Sequence, residues 1–309
     1  MNHLFQFYLL FYGALGLGFW LRSRRAWAPG LMRAAILLLD TPLFFYSYWI
    51  LDLSRLRHYA PVPVISALLV LAMAVVSVLW SRKLLAERTS QGSFVLAAAF
   101  SNIGTTGGAF ICYLLYGTPG LALGYLYLLP YPLLVFTLGF SLAKHYAGPG
   151  RLSVLAYARN LVTNVTSLVP LLAMGAGFYF NLHHVPVPAV APALADGFIK
   201  LDLVIMFAAI GMTLDLTSLF SPARAVLALN AIKYLLSPLV ALGLVLWAYG
   251  FGASLPAKVI LIQSAMPPAI YAVITVNLFN LDRRLVNALW VSSTLLLIPL
   301  AALLFVFFK

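Results

Sequence analysis

The sequence predicts an all-α polytopic membrane protein, with ten transmembrane helices arranged as two inverted five-helix repeats. Three observations lead there. Of the 309 residues, 63% are hydrophobic and 8% charged, whereas a soluble domain carries about a quarter charged residues. Apolar runs of about 20 residues, the length that crosses a bilayer, recur from end to end. Ten such runs fall into two sets: an offset of 163 positions carries the second, third and fourth onto or into the seventh, eighth and ninth, and the first and fifth near the sixth and tenth.

The spans are 4–21, 31–53, 62–83, 94–116, 119–143, 161–181, 194–216, 222–248, 256–279 and 285–308. No segments of about ten alternating residues, the mark of a membrane β-barrel, interrupt them. The connections are short, so the chain reads as one membrane unit over 1–309, with repeat one at 1–145 and repeat two at 159–309. The first span lacks a basic lead-in and carries its arginines after the apolar run, which is the pattern of a retained helix. Cys112, the sole cysteine, permits no intramolecular disulfide.

The formal charge of +12 is distributed in short clusters between spans. That is a topology signal, not a nucleic-acid surface. The odd-numbered loops carry Arg22, Arg24, Arg25, Arg33, Arg82, Lys83, Arg88, Lys144, Arg151, Arg159, Arg224, Arg283 and Arg284. The even-numbered loops carry Arg55, Arg57 and Lys258, with Lys200 at a helix start. The odd loops are therefore expected to be cytoplasmic, with both termini outside and the protein in the cell membrane.

The offset of 163 carries 31–53 onto 194–216, 62–83 into the eighth span and 94–116 onto 257–279. It also carries "LDLS" (Leu51–Ser54) onto "LDLT" (Leu214–Thr217) without a gap. Five spans per repeat is an odd number, so the second half must be inverted. Inverted repeats build secondary transporters, with the substrate held near mid-membrane at the repeat interface.

Two spans are interrupted. The fourth contains Gly104, Thr105, Thr106, Gly107 and Gly108, and each glycine costs a helix about 1 kcal/mol relative to alanine. The ninth contains Pro267 and Pro268, which remove the backbone donors for the carbonyls of Gln263 and Ser264. Under the offset, Gly104–Thr105 aligns with Pro267–Pro268. Paired interruptions in inverted halves point to a transport site, although Gly and Pro also serve plain packing in membrane helices. Unwound backbone at that depth must face protein or water, and half-helix N-termini favour anions. The candidate substrate contacts are Asn102, Gly104, Thr105, Thr106, Gly107, Gln263, Ser264, Pro267, Pro268 and Tyr271. Tyr125, Tyr127 and Tyr131 are further aromatic candidates.

The chain resembles the auxin efflux carrier family, the PIN-type carriers and their bacterial relatives, over nearly its whole length. The resemblance rests on "FSNIGTTGGAFICYLLYGTPGL", "IKYLLSPLVALGL", "IQSAMPPAIYAVITVNLFNLD" and "VSSTLLLIPLAALL" in that order. It implies that the fourth and ninth helices cross, that helices 1, 2, 6 and 7 form a scaffold, and that helices 3–5 and 8–10 form a moving transport domain. Family substrates are organic anions such as auxin, malate or malonate. The related bile-acid symporters share the fold and couple to sodium. Asn102 matches the family's fourth-helix asparagine and Pro267 its ninth-helix proline. The chain departs from the family in lacking a fourth-helix proline, having Gly107, Gly108 and Ala109 there. It also lacks the long central loop of plant members, which favours a bacterial form.

Charged residues inside spans are functional candidates. Asp40, midway along the second span, is either a proton carrier or a cap for a break at Pro42. Lys233, in the eighth span, either attracts an anion from a cavity or pairs with Asp40 or Asp202. Asp202 is a second coupling candidate, while Asp196 and Lys200 are spaced to pair at the rim. Asp52 and Asp215 read as structural. His183 and His184 have no metal-ligand spacing, and no metal or other cofactor is expected. No P-loop, G-x-S-x-G or H-E-x-x-H motif is present, so the chain is not expected to be an enzyme. The expected function is secondary transport of a small organic anion by alternating access, coupled to protons or, alternatively, to sodium. An integral membrane enzyme is the competing class. The expected partners are the bilayer, the anion, the coupling ion and, as an open option, a second copy of the chain.

Overall fold

A computed structural model describes residues 3–148, 165–214 and 222–308. Residues 161–164 of the sixth expected span and 215–216 of the seventh lie outside the described residues. So do Arg151, Arg159, Asp215 and most of "LDLT".

Among the described residues the fold is helical throughout, with no strand beyond one isolated bridge. The helices are α1 (3–20), α2 (Arg22–Trp49), α3 (Pro61–Leu84), α4 (Arg88–Ala99), α5 (Gly108–Ala147), α6 (Val165–Leu182), α7 (Ala191–Thr213), α8 (Ala223–Tyr249), α9 (Leu255–Ser264), α10 (Ile270–Leu278) and α11 (Arg283–Phe307). Five helical stretches are long and apolar enough to cross a membrane: α2, 53–84 containing α3, α5, α8 and α11. Two shorter apolar helices, Leu168–Leu182 within α6 and α9, accompany them. α7 is 23 residues long but carries Asp196, Lys200 and Asp202.

α5 is divided at Gly117, whose φ of 64° lies in the left-handed region where a Cβ is unfavourable. Among the described residues, four π-turns widen the helices, at Leu9–Gly13, Ile36–Asp40, Val135–Gly139 and Ile232–Leu236. Two of them contain Asp40 and Lys233, and such bulges recur at functional sites.

Large apolar side chains cover much of the outside. Leu38, Val75, Leu133, Leu172, Leu235, Trp247 and Phe307 are all exposed. Such a surface suits lipid and would aggregate in water. The protein is a multi-pass membrane protein.

α1, α2, α6 and α7 pack on one another, principally α1 against α7 and α2 against α6. Both contacts are backbone-close. A Cβ on Gly18 of α1 would lie 2.0 Å from the Ala208 carbonyl oxygen, and one on Gly177 of α6 would lie 2.1 Å from the Phe45 carbonyl oxygen. Only glycine allows those approaches. Phe11 and Phe207 extend the first contact into the core, with ring centroids 3.8 Å apart. α3, α4, α5 and α8–α11 pack largely among themselves, with α4 touching α3, α10, α11 and the end of α5.

Candidate functional site

The chain between α4 and α5, and that between α9 and α10, leave the helical path and cross. Ser101 and Pro268 form an antiparallel bridge. The Asn102 amide donates to the Pro267 carbonyl at 2.8 Å, and the Ala269 amide donates to the Phe100 carbonyl at 3.0 Å. Each break thus satisfies part of the other's exposed backbone. Pro267 and Pro268 sit where their missing amides are not required, because the bridge uses the amides of Asn102 and Ala269 instead.

The first break has no proline, and Asn102 organises it. Its Nδ2 donates to the Thr106 carbonyl at 2.7 Å, and its Oδ1 accepts from the Thr106 hydroxyl at 2.8 Å. Its backbone carbonyl receives the Gly108 amide at 3.0 Å. Asn102 therefore shapes the turn, as Asn does when its side chain competes with helix. Gly107 is required by the same turn, since a Cβ there would lie 1.9 Å from the Asn102 carbonyl oxygen.

Lys233 stands behind the crossing. It is fully buried and its Nζ donates to the Phe100 carbonyl and the Ser101 hydroxyl, both at 2.9 Å. A cation at the C-terminal end of α4 complements the helix dipole and the carbonyls left over there. Lys233 does not border the cavity described below, and it pairs with neither Asp40 nor Asp202. Gln263 and Ser264 are likewise buried behind the crossing. The Ser264 carbonyl, orphaned by Pro268, accepts the Ser237 hydroxyl at 2.8 Å.

In front of the crossing lies a cavity of about 180 Å³. Asp40, Asn102, Gly104, Thr105, Thr106 and Tyr271 all line it, as do Ser101 and Tyr131. Gly107, Gln263, Ser264, Pro267, Pro268 and Lys233 do not. The remainder of the wall is apolar and includes Met32, Phe44, Phe136, Met174, Met206 and Ile274. These six carried no recognisable signal, because an apolar residue in so apolar a chain is indistinguishable from lipid-facing packing. Tyr131 also supports the break, its hydroxyl accepting the Ser101 amide at 2.9 Å.

The polar end of the cavity has two kinds of group. The backbone amides of Gly104, Thr105 and Thr106, and those of Ile270 and Tyr271 at the start of α10, have no acceptor among the described residues. Amides of this kind at a half-helix N-terminus favour an anion. Beside them, the Oδ1 of Asp40 accepts the Tyr125 hydroxyl at 2.8 Å and the Thr105 hydroxyl at 3.0 Å. Tyr125 is fully buried and works on Asp40 instead of stacking on a ligand. Tyr127 is also buried away from the cavity.

Asp202 is 1% exposed, deeper than its place near the outer end of the seventh span suggested. Asp196 and Lys200 pair at 2.6 Å as their spacing predicts, and Asp52 caps the turn at Leu53–Arg55.

Residues 203–304 match the family model described as membrane transport protein. No curated protein matches the chain.

Proposed function

We propose that the protein is a secondary transporter that carries a small organic anion by alternating access at the crossing of the two broken helices, a reading supported by the match of residues 203–304 to the membrane transport protein family model. The observation that carries the reading is the Ser101–Pro268 bridge beside a cavity with unpaired amides at one end. An anion's charged group fits the amides of Gly104–Thr106 and α10, and its body fits the Met and Phe wall. Beyond these polar groups, most of the cavity lining is apolar. The geometry therefore favours a monocarboxylate with an apolar body over a dicarboxylate, which would place a second charge against methionine and phenylalanine.

Ten spans in two inverted repeats remain the architecture we favour. In its support, the α1–α7 and α2–α6 contacts both rest on a glycine against a carbonyl, and those carbonyls belong to Ala208 and Phe45, 163 positions apart. The separate packing of α1, α2, α6 and α7 supports the scaffold role, with the other helices as the moving domain. Rocking one group against the other would open the cavity to each side in turn. Proton coupling through Asp40 is the companion reading, because this carboxylate borders the anion's amides. Sodium coupling is the alternative. The cell membrane as location, with both termini outside, follows from the arginine and lysine distribution.

Binding tests the substrate class. Benzoate or indole-3-acetate is expected to raise the melting temperature of the purified protein and malonate to leave it unchanged. At a hundredfold excess over Kd the gain is about 2.7 kcal/mol. Stabilisation by malonate alone would reverse the monocarboxylate preference, and no response to any carboxylate would remove the anion reading.

A further inference from the structure

We infer that Asp40 and Asp202 together bind one proton, taken up from the cavity through Asp40 and held between α2 and α7. This rests on the transport reading for its use but not for its test.

Asp40 ends the π-turn Ile36–Asp40, which packs on α7, the helix that carries Asp202, and the Thr105 hydroxyl donates to Asp40 at 3.0 Å. Neither forms an ion pair among the described residues. Both oxygens of Asp202 lack a hydrogen-bond partner although the residue is buried. On Asp40, the two hydroxyl donors converge on Oδ1, leaving Oδ2 without a donor among the described residues.

Among the described residues, the surroundings supply no neutralising charge. Tyr125 comes from α5 and donates its hydroxyl to Asp40 at 2.8 Å, and Tyr271 comes from α10; both carry neutral hydroxyls. From α1, Tyr12 donates to the Thr294 carbonyl. Tyr46 and Tyr48 lie on α2 itself, and Tyr48 donates to the Tyr125 carbonyl. The described part of α6 holds only Tyr179 at its exposed end. On α7, Lys200 is occupied by Asp196. Arg22, Arg24, Arg25 and Arg33 are exposed, and Lys233 is directed at Phe100 and Ser101.

Two neighbouring carboxylates without a cation cannot both stay charged cheaply away from water. Among the described residues, the oxygens of these carboxylates left without a partner are Oδ2 of Asp40 and the two of Asp202. One proton taken up by the two carboxylates removes one of the charges that burial without a cation makes costly. Loading the proton removes a negative charge beside the amides of Gly104–Thr106, so anion and proton bind cooperatively by linkage.

Infrared spectra of the purified, substrate-free protein test this. The wild type is expected to show the C=O stretch of a protonated carboxylic acid near neutral pH, shifted in D2O, and both D40N and D202N are expected to lose it. In melting experiments the wild type should be more stable at mildly acidic than at mildly alkaline pH, by a margin that D202N largely abolishes, with choline and sodium chloride equivalent. If D202N fails to fold, D40N carries the same expectation. A band that persists in either variant, an unchanged pH dependence, or stabilisation of the wild type by sodium over choline overturns the inference. Because no substrate is present, each outcome is independent of whether a carboxylate is transported.

Discussion

Gly107→Val is expected to abolish transport and to destabilise the protein by about 3 kcal/mol. The cause is local. A Cβ at this position would lie 1.9 Å from the Asn102 carbonyl oxygen and 3.0 Å from its Cγ. That carbonyl is the acceptor for Gly108 and stands one residue from the Ser101–Pro268 bridge. Backbone cannot rotate away as a side chain can, so the turn must open. Opening it separates the amides of Gly104–Thr106 from the start of α10. Gly104→Ala is the control for folding, since nothing lies within 4 Å of a Cβ there. Melting temperature and flux measured on the two variants check the contrast. Wild-type behaviour of G107V would mean that the crossing does not govern transport.

The second large effect lies away from the site. Gly18→Val and Gly177→Val are each expected to cost about 3 kcal/mol and to reduce the yield of folded protein severely. Each introduces atoms against a carbonyl of the facing helix, Ala208 in one case and Phe45 in the other. Similar costs at both positions would reflect the equivalence of the α1–α7 and α2–α6 contacts. Gly243→Ala, with open space around it, should instead be neutral or gain up to about 1 kcal/mol from helix propensity. Thermal unfolding of the purified variants measures all three. Melting of G18V at the wild-type temperature would show that the helices are not closely seated there.

The crossing was legible because backbone interruption has a composition. Glycines and prolines stand out in an apolar helix, and the offset of 163 placed them opposite one another. The position of the first break was less legible. The chain leaves the helix at Phe100, ahead of the glycines, because Asn102 and Thr106 hold the turn with side-chain hydrogen bonds. Asn102 sits at the crossing, where its side chain holds Thr106; its expected role as a substrate contact remains a proposal. Lys233 and Asp202 show the opposite failure. A charge inside a span announces that it is important without announcing its direction, which depends on tertiary packing. Lys233 is directed at α4, and Asp202 is buried on α7 with no hydrogen-bond partner among the described residues. The cavity wall was illegible for a simpler reason. In a chain that is 63% hydrophobic, the residues that touch a ligand's apolar body look the same as those that touch lipid.

The central claim is that a solute crosses the membrane at this crossing. Uptake of radiolabelled benzoate, indole-3-acetate and malonate into proteoliposomes, under imposed pH or sodium gradients, tests it most directly. The account predicts saturable uptake of at least one monocarboxylate, driven by the pH gradient, collapsed by a protonophore, indifferent to sodium and absent in G107V. Lack of saturable flux for every carboxylate, or flux that survives undiminished in G107V, would contradict it.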